Sequence, residues 1–209
     1  MAKVYYVYDA LCGWCYGFSP VIKAAHESYS DHLEFEVISG GMVRGERVGP
    51  ISDMADYIRG ALKRVEEVTG TKFGEAFAKD MLDKGDAIQD SLPPARLLSA
   101  VKDSHPKKSV PFAAALQKAI YFDGIYPTDL EKLSRVGEEL GIQAQPILEK
   151  ARTEAMEKAA EEDFARSQAW GVRGFPTIIG EKGGQHYLLT HGATTYEDLS
   201  QKLDTLAAM

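Results

Sequence analysis

The chain has 209 residues, 44% of them hydrophobic, which is enough apolar side chain to build a core and excludes wholesale disorder. Lys and Arg number 24 against 31 Asp and Glu, a formal net charge of -7; this disfavours nucleic-acid and anionic membrane partners, which call for clustered cations. No stretch approaches the roughly 18 apolar residues of a membrane span, and Met1 to Asp9 lack the long apolar run and cleavage site of a secretory signal, so a cytoplasmic location is expected.

Lys3 to Tyr8 is a β-branched and aromatic run that predicts a strand. Gly13 to about Ser28 predicts a helix, with Phe18, Val21, Ile22 and Ala25 at helical spacing and Pro20 either in its first turn or kinking it. Leu33 to Ile38 predicts a second strand, so the first part of the chain reads as a βαβ unit with a right-handed crossover. Gly40-Gly41 lack the Gly-Lys-Ser/Thr ending of a phosphate loop and read as a turn. A helical block follows, with apolar stripes at Met54-Ile58-Leu62-Val65, at Leu97-Leu98-Val101 after Pro93-Pro94, at Leu116-Ile120, and at Leu130-Leu133-Val136-Leu140. The last stripe is expected to start with the capping box Thr128-x-x-Glu131 and to stop at Gly141. A further helix runs from about Thr153 to Trp170 and ends at Gly171. Two strand-like runs, Pro176–Ile179 and His186–Leu189, flank Gly183-Gly184 and predict a hairpin. Thr195 then caps a final helix bearing Leu199, Leu203 and Leu206. The order predicts an α/β fold: a core built from residues 1–45 and 153–209, interrupted by a helical insertion at 46–152.

The chemistry concentrates in Cys12-Gly13-Trp14-Cys15, the only two cysteines of the chain. A bridge at this spacing staples almost nothing, which argues against a structural disulfide. On the first turn of a helix, both sulfurs come to the end where backbone N–H groups point outward and stabilise a thiolate. Cys12 is then the exposed nucleophile, and Cys15, one turn further in, is the shielded resolving thiol. Half of a zinc site is the other reading of such a pair. It lacks a second Cys pair, and His26 lies roughly 16 Å along the same helix, so no metal and no other cofactor are expected.

A second signal is Gly171-Val172-Arg173-Gly174-Phe175-Pro176-Thr177, in which Pro176 suits a strand start. Together with the strand, Asp9, the Cys motif and Tyr16-Gly17-Phe18, these residues resemble the DsbA-like branch of the thioredoxin superfamily, and within it the cytosolic members described as protein-disulfide isomerases. The resemblance covers essentially the whole chain. It implies a thioredoxin-like core with an α-helical insertion domain, a cis Pro176 against the Cys pair, and a Phe175 backbone that pairs with an extended substrate. It maps nucleophile and resolver onto Cys12 and Cys15.

The sequence departs from that pattern in places. No His stands between the cysteines, and the buried acid that many relatives carry six positions before the first of them is Tyr6. Asp9 is either a proton acceptor for Cys15 or a solvated loop acid near a helix N-terminus, and the second reading is preferred. Trp14 covers the dithiol or meets substrate. Arg44 and Arg173 are candidate anchors for a glutathione carboxylate, or else surface charges. The function expected is thiol–disulfide exchange, as a protein disulfide reductase or isomerase acting on protein or small thiols and disulfides, with glutathione among the candidate partners. The alternatives are a glutathione-dependent transferase or isomerase of the same architecture, and a non-catalytic binding protein or chaperone on a thioredoxin scaffold.

Overall fold

The computed structural model describes residues 2–209. Strand β1 (Ala2–Tyr8) is the spine of a four-stranded sheet with β2 (Leu33–Ser39), β5 (Thr177–Lys182) and β6 (Gln185–His191), in the order β2-β1-β5-β6, while the short β3 (Gly49–Pro50) and β4 (Ile88–Gln89) pair separately. Its partner β2 runs parallel, pairing Val4 with Phe35 and Tyr6 with Val37, and β5 lies antiparallel on the other side. Strand β6 closes the sheet as the second arm of a hairpin. Gly183 and Gly184 both take positive φ in that turn, which a two-residue hairpin demands and glycine supplies without steric cost. The period-2 side-chain alternation of β1 feeds both faces of the sheet. Val4, Tyr6 and Tyr8 enter the main core, while Tyr5 and Val7 join Ile38 and Ile179 beneath Trp170 and Phe175.

Helix α1 (Gly13–Tyr29) makes the crossover from β1 to β2. Pro20 lies well inside it rather than in the first turn, and so removes the donor that Tyr16 O would have received. The Ser19 hydroxyl donates to that carbonyl instead, at 2.8 Å. Between the two halves of the sheet stand α2 (Ala55–Thr69), α3 (Leu92–Ser104), α4 (Ser109–Tyr121), α5 (Leu130–Ser134) and α6 (Ala144–Ala151). Next come α7 (Glu154–Ala169), which packs on α3 and β2, and α8 (Tyr196–Ala208), capped by Thr195.

The helical block departs from its sequence pattern in four places. Met54 is 52% exposed, and of its stripe only Val65 is buried, because α2 lies on the rim with Ile58 and Leu62 half-buried. The cap of α5 is Asp129, whose carboxylate accepts from Lys132 N, since the helix begins at Leu130 and leaves Thr128 one residue too early. The same stripe tightens into a 3-10 helix over Arg135–Leu140, where Gly137 approaches Ile142 and Phe112 closely. Finally, α6, which buries Ile147, Leu148 and Ala151, and a π-helical segment at Phe77–Asp83 lie outside the predicted stripes.

A charge network centred on the buried Asp163 locks α3, α7 and β2 together. Lys102 donates to both oxygens of Asp163 at 2.8 and 2.7 Å and lies 3.6 Å from Glu36, which also accepts from Arg166 at 2.7 Å. Asp163 further accepts from Ser39 N at 3.1 Å, at the end of β2. Burial pushes its carboxyl up from the usual value, while the charge and hydrogen bonds of Lys102 pull it back. Lys102→Met leaves that carboxylate buried without its cation, so the variant is expected to lose about 3 kcal/mol at neutral pH. A carboxyl whose folded-state pKa is raised loses stability as pH rises through that value, so the deficit should shrink on acidification. Urea denaturation of both proteins across the pH range measures this.

Candidate dithiol active site

The turn Asp9-Ala10-Leu11 delivers Cys12 to the N-cap of α1. Cys12 has extended backbone, φ -93° and ψ 107°, and its Sγ accepts from Cys15 N at 3.2 Å, as a Ser or Asp oxygen does at an ordinary N-cap. Both cysteines are free thiols. On its other side the Cys12 Sγ donates towards the Phe175 carbonyl at 3.5 Å. The Phe175-Pro176 peptide bond is cis, and β5 begins at the next residue. The structure therefore brings together Cys12, Cys15, Phe175 and Pro176, elements 160 residues apart in sequence.

Cys12 is 5% exposed and Cys15 is 0% exposed. The expectation of an exposed Cys12 is thus corrected: the Phe175 carbonyl stands against its sulfur, and the helical block closes the other side. Gln117 of α4 donates to the carbonyls of Asp9 and Cys12 at 3.1 and 3.4 Å. Phe73 reaches the backbone at Gly13 and belongs to a cluster with Tyr16, Phe77 and Tyr121, in which Tyr16 stacks on Tyr121 at 5.3 Å. Trp14 is half-buried and packs on the main core. Burial pushes the Cys15 thiol well above its usual range, and the neighbouring Cys12 sulfur adds to the effect.

Residues 3–204 match the family described as DSBA-like thioredoxin domain. The chain belongs to that family of thiol–disulfide oxidoreductases. Among solved structures, a candidate protein disulfide isomerase from Nitrosomonas europaea superposes with a TM-score of 0.83 at 28% identity, covering 98% of this chain and 96% of its own. The cytosolic disulfide reductase DsbM from Pseudomonas aeruginosa superposes with a TM-score of 0.83 at 24% identity, over 99% and 100% of the two chains. Its structure with GSH gives 0.82 at 25% identity, over the same shares. No curated protein matches in sequence.

Within this DSBA-like site, Asp9 is not a solvated loop acid. It is 1% exposed, and its carboxylate accepts from Leu11 N at 3.0 Å, Met42 N at 2.8 Å and Ser91 Oγ at 2.9 Å. Burial pushes its carboxyl up, and the bonds from Met42, Leu11 and Ser91 act against that shift. The loop is covered by residues 40–43 and by Ser91 at the start of α3, which leaves Asp9, Ala10 and Leu11 buried. Its oxygens are engaged by these donors and make no hydrogen bond to Cys15. Arg44 is paired with Glu161 and lies 4.5 Å over the Phe164 ring, so its charge is already answered. Arg173 is exposed and makes no ion pair among the described residues.

Sequence reasoning passed over Gly40 as a turn residue. A Cβ there would stand 2.2 Å from the Phe175 ring, so the missing side chain is what lets that ring fill the space beside β2. The glycine doublet after a strand was the available signal, but nothing local told a turn from a close approach. Gly40→Ala should push the Phe175 ring aside and cost about 1–3 kcal/mol of stability, with a further loss of disulfide-exchange activity as the Phe175 carbonyl moves off Cys12. Thermal melting and a turnover assay on the same preparation check both. Asp9→Ala leaves three donors without acceptors and should cost about 3 kcal/mol or more. A surface loop acid would move the urea midpoint by only a few tenths of a kcal/mol.

Proposed function

We propose that this protein is a cytoplasmic thiol–disulfide oxidoreductase that reduces or isomerises disulfides, with Cys12 as nucleophile and Cys15 as resolving thiol. The observation that carries the reading is the Cys12 sulfur at the N-cap of α1, held by Cys15 N and facing the Phe175 carbonyl. A thiolate there takes over the hydrogen bond of the first helical turn and the favourable end of the helix dipole. It attacks one sulfur of a substrate disulfide and releases the other as a thiol. Cys15 then attacks the Cys12 sulfur of the mixed disulfide, freeing the substrate as a second thiol and leaving a Cys12–Cys15 disulfide. Two electrons have passed to the substrate, and two external thiols, such as two glutathiones, return them.

Several features support reduction or isomerisation over oxidation. Between the cysteines stand Gly13 and Trp14, so no cationic side chain within the motif favours the thiolate, and the buried Asp9 lies three residues before Cys12. The Phe175 backbone at the head of β5 suits strand addition by an extended substrate, because Pro176 cannot donate inward. Trp14, half-buried beside the dithiol, is the natural contact for an apolar substrate side chain. The cytoplasmic assignment draws on the name of the Pseudomonas aeruginosa neighbour, a cytosolic reductase, and on the described residues, where no helix is long and apolar enough to cross a membrane. The structure of that neighbour with GSH makes glutathione the first reductant to try.

The test is reduction of insulin with glutathione as electron donor, alongside non-reducing mass spectrometry of acid-quenched Cys15→Ser and Cys12→Ser. Cys15→Ser should accumulate protein mixed disulfides on Cys12, and Cys12→Ser should form none. Adducts with glutathione alone would favour a glutathione-dependent transferase, and no turnover at all would favour a scaffold protein.

A further inference from the structure

Helix α4 lies against the N-terminus of α1 and is apolar on its buried side, where Phe112, Ala113, Leu116 and Ile120 are shielded from solvent. Gln117 stands among them with no solvent exposure. Its Nε2 donates to the Asp9 carbonyl at 3.1 Å and to the Cys12 carbonyl at 3.4 Å. Both partners are carbonyl oxygens, which only accept, so the atom between them is the amide nitrogen. The amide oxygen Oε1 is buried and has no hydrogen-bond partner among the described residues. An unpartnered buried acceptor keeps its full desolvation penalty. Neither carbonyl depends on the amide for its own satisfaction: Asp9 O already accepts from Cys12 N and Cys12 O from Tyr16 N, each at 3.1 Å. An apolar side chain of the same length would fill the space without the orphan oxygen, so stability alone gives no reason for a glutamine here.

What the two carbonyls share is the turn that carries Cys12. Asp9 and Cys12 are its first and last residues, closed by the bond from Cys12 N to Asp9 O, and one amide group clips both ends to α4. The sulfur at the end of that turn lies between opposite influences. Cys15 N, 3.2 Å away, is a donor and favours a thiolate, whereas the Phe175 carbonyl, 3.5 Å away, is an acceptor and opposes one. A small movement of the turn changes the balance between them. The Asp9 carboxylate anchors the start of the turn through Leu11 N, Met42 N and Ser91 Oγ. At the other end, Gln117 is the one side chain among the described residues that bonds to the main chain of Cys12.

We infer that Gln117 is a positioning residue for thiol–disulfide exchange: it sets the Cys12 sulfur between its donor and the Phe175 carbonyl, and so governs the first attack. The inference rests on the assignment of Cys12 as nucleophile. When the Cys12 thiolate attacks oxidised glutathione, a bond forms between the Cys12 sulfur and one glutathione sulfur, and the disulfide bond of glutathione breaks. The electron pair leaves on the second glutathione sulfur, which takes a proton from water. Gln117 touches none of the reacting atoms and changes neither its charge nor its protonation. It acts only through the turn that ends at Cys12.

The experiment follows consumption of the dithiol by oxidised glutathione, with acid quench and mass spectrometry, for wild type, Gln117→Met and Gln117→Glu, over the pH range in which circular dichroism shows each protein folded. Gln117→Met keeps the length and loses both donors. Its dithiol should react roughly tenfold to a hundredfold more slowly, the cost of a misplacement on the ångström scale. Its melting temperature should stay within about 4 °C of wild type, because each carbonyl keeps its backbone donor. Gln117→Glu offers one donor while its carboxyl is protonated and none once it is ionised. Its rate relative to wild type should therefore fall as pH rises through the titration of the new carboxyl, whereas the relative rate of Gln117→Met should not fall. A residue of merely structural worth would give no such limb. A wild-type rate in Gln117→Met, a Gln117→Glu profile parallel to wild type, or failure of both variants to fold would each overturn the role of Gln117 while leaving Cys12 as nucleophile. A wild-type dithiol that does not react, or that reacts first at Cys15, would overturn the nucleophile itself, and the role of Gln117 with it.

Discussion

The Asp9 carboxylate is taken out of water at the C-terminal end of the central strand, and three donors from three different segments converge on it: Leu11 N, Met42 N and Ser91 Oγ. Burying a carboxylate is costly unless such partners meet it, so the segments are obliged to stay where they are. Ser91 extends the chain of bonds by accepting from Val43 N at 3.0 Å. The Asp9 main chain continues the same job, since its carbonyl accepts from Cys12 N and from Gln117 Nε2, each at 3.1 Å. The position of the first cysteine is therefore set jointly by β1, by the loop after β2, and by α3 and α4 of the helical block. A helix N-terminus that moved by an ångström would no longer face the Phe175 carbonyl. A site on rigid elements, backed by a second layer of bonds, is how such placement is held.

The opposite side of the dithiol depends on absence of bulk rather than on bonds. Gly40 follows β2 and has no side chain, so the Phe175 ring can lie against that backbone and present its carbonyl to Cys12. Phe175 thus has two unlike duties: its ring is wedged among Tyr5, Val7, Ile38 and Ile179 on the far face of the sheet, while its carbonyl lines the Cys12 sulfur. Packing on one face of the sheet fixes polar geometry at its end. The Lys102–Asp163 network acts on the same strand from behind, because Asp163 accepts from Ser39 N, one residue before Gly40. Core, charge network and active site are in this way mechanically continuous along residues 37–43.

What could be read in the sequence follows from how local each signal is. The βαβ unit, the hairpin at Gly183-Gly184, the Thr195 cap and the Cys pair at a helix start depend on residues within a few positions of one another, and the DSBA-like fold was legible from them with the resemblance. Asp9 was misjudged because its partners lie 33 and 82 residues away, and an acid before a helix N-terminus reads as solvated until the loops that cover it are known. Cys12 was expected to be exposed for the same reason: the Phe175 carbonyl that faces it comes from 163 residues on. The stripe of α2 failed in the other direction, since periodicity marks an apolar face but not how much neighbouring structure there is to bury it. The π-helical turn at Phe77–Asp83 packs against distant residues, since Phe77 and Tyr121 meet at 5.1 Å, and no local pattern marks it.

The two sulfurs differ by one helical turn, and that turn places them in unlike surroundings. Cys12 occupies the N-cap, where its sulfur takes a backbone donor in place of water. Cys15 lies inside the first turn, where burial and the adjacent Cys12 sulfur both hold its proton on. The second of those causes is conditional. While Cys12 carries negative charge, a second thiolate beside it is opposed by like-charge repulsion in a medium of low dielectric. Once Cys12 is bonded to another sulfur, that charge is gone, and the cost of burial remains. On the proposed assignment of Cys12 as nucleophile and Cys15 as resolver, that change would favour Cys15 only after Cys12 has bonded to the substrate sulfur. The proposed order of events therefore rests on the spacing of two cysteines across the first turn of one helix.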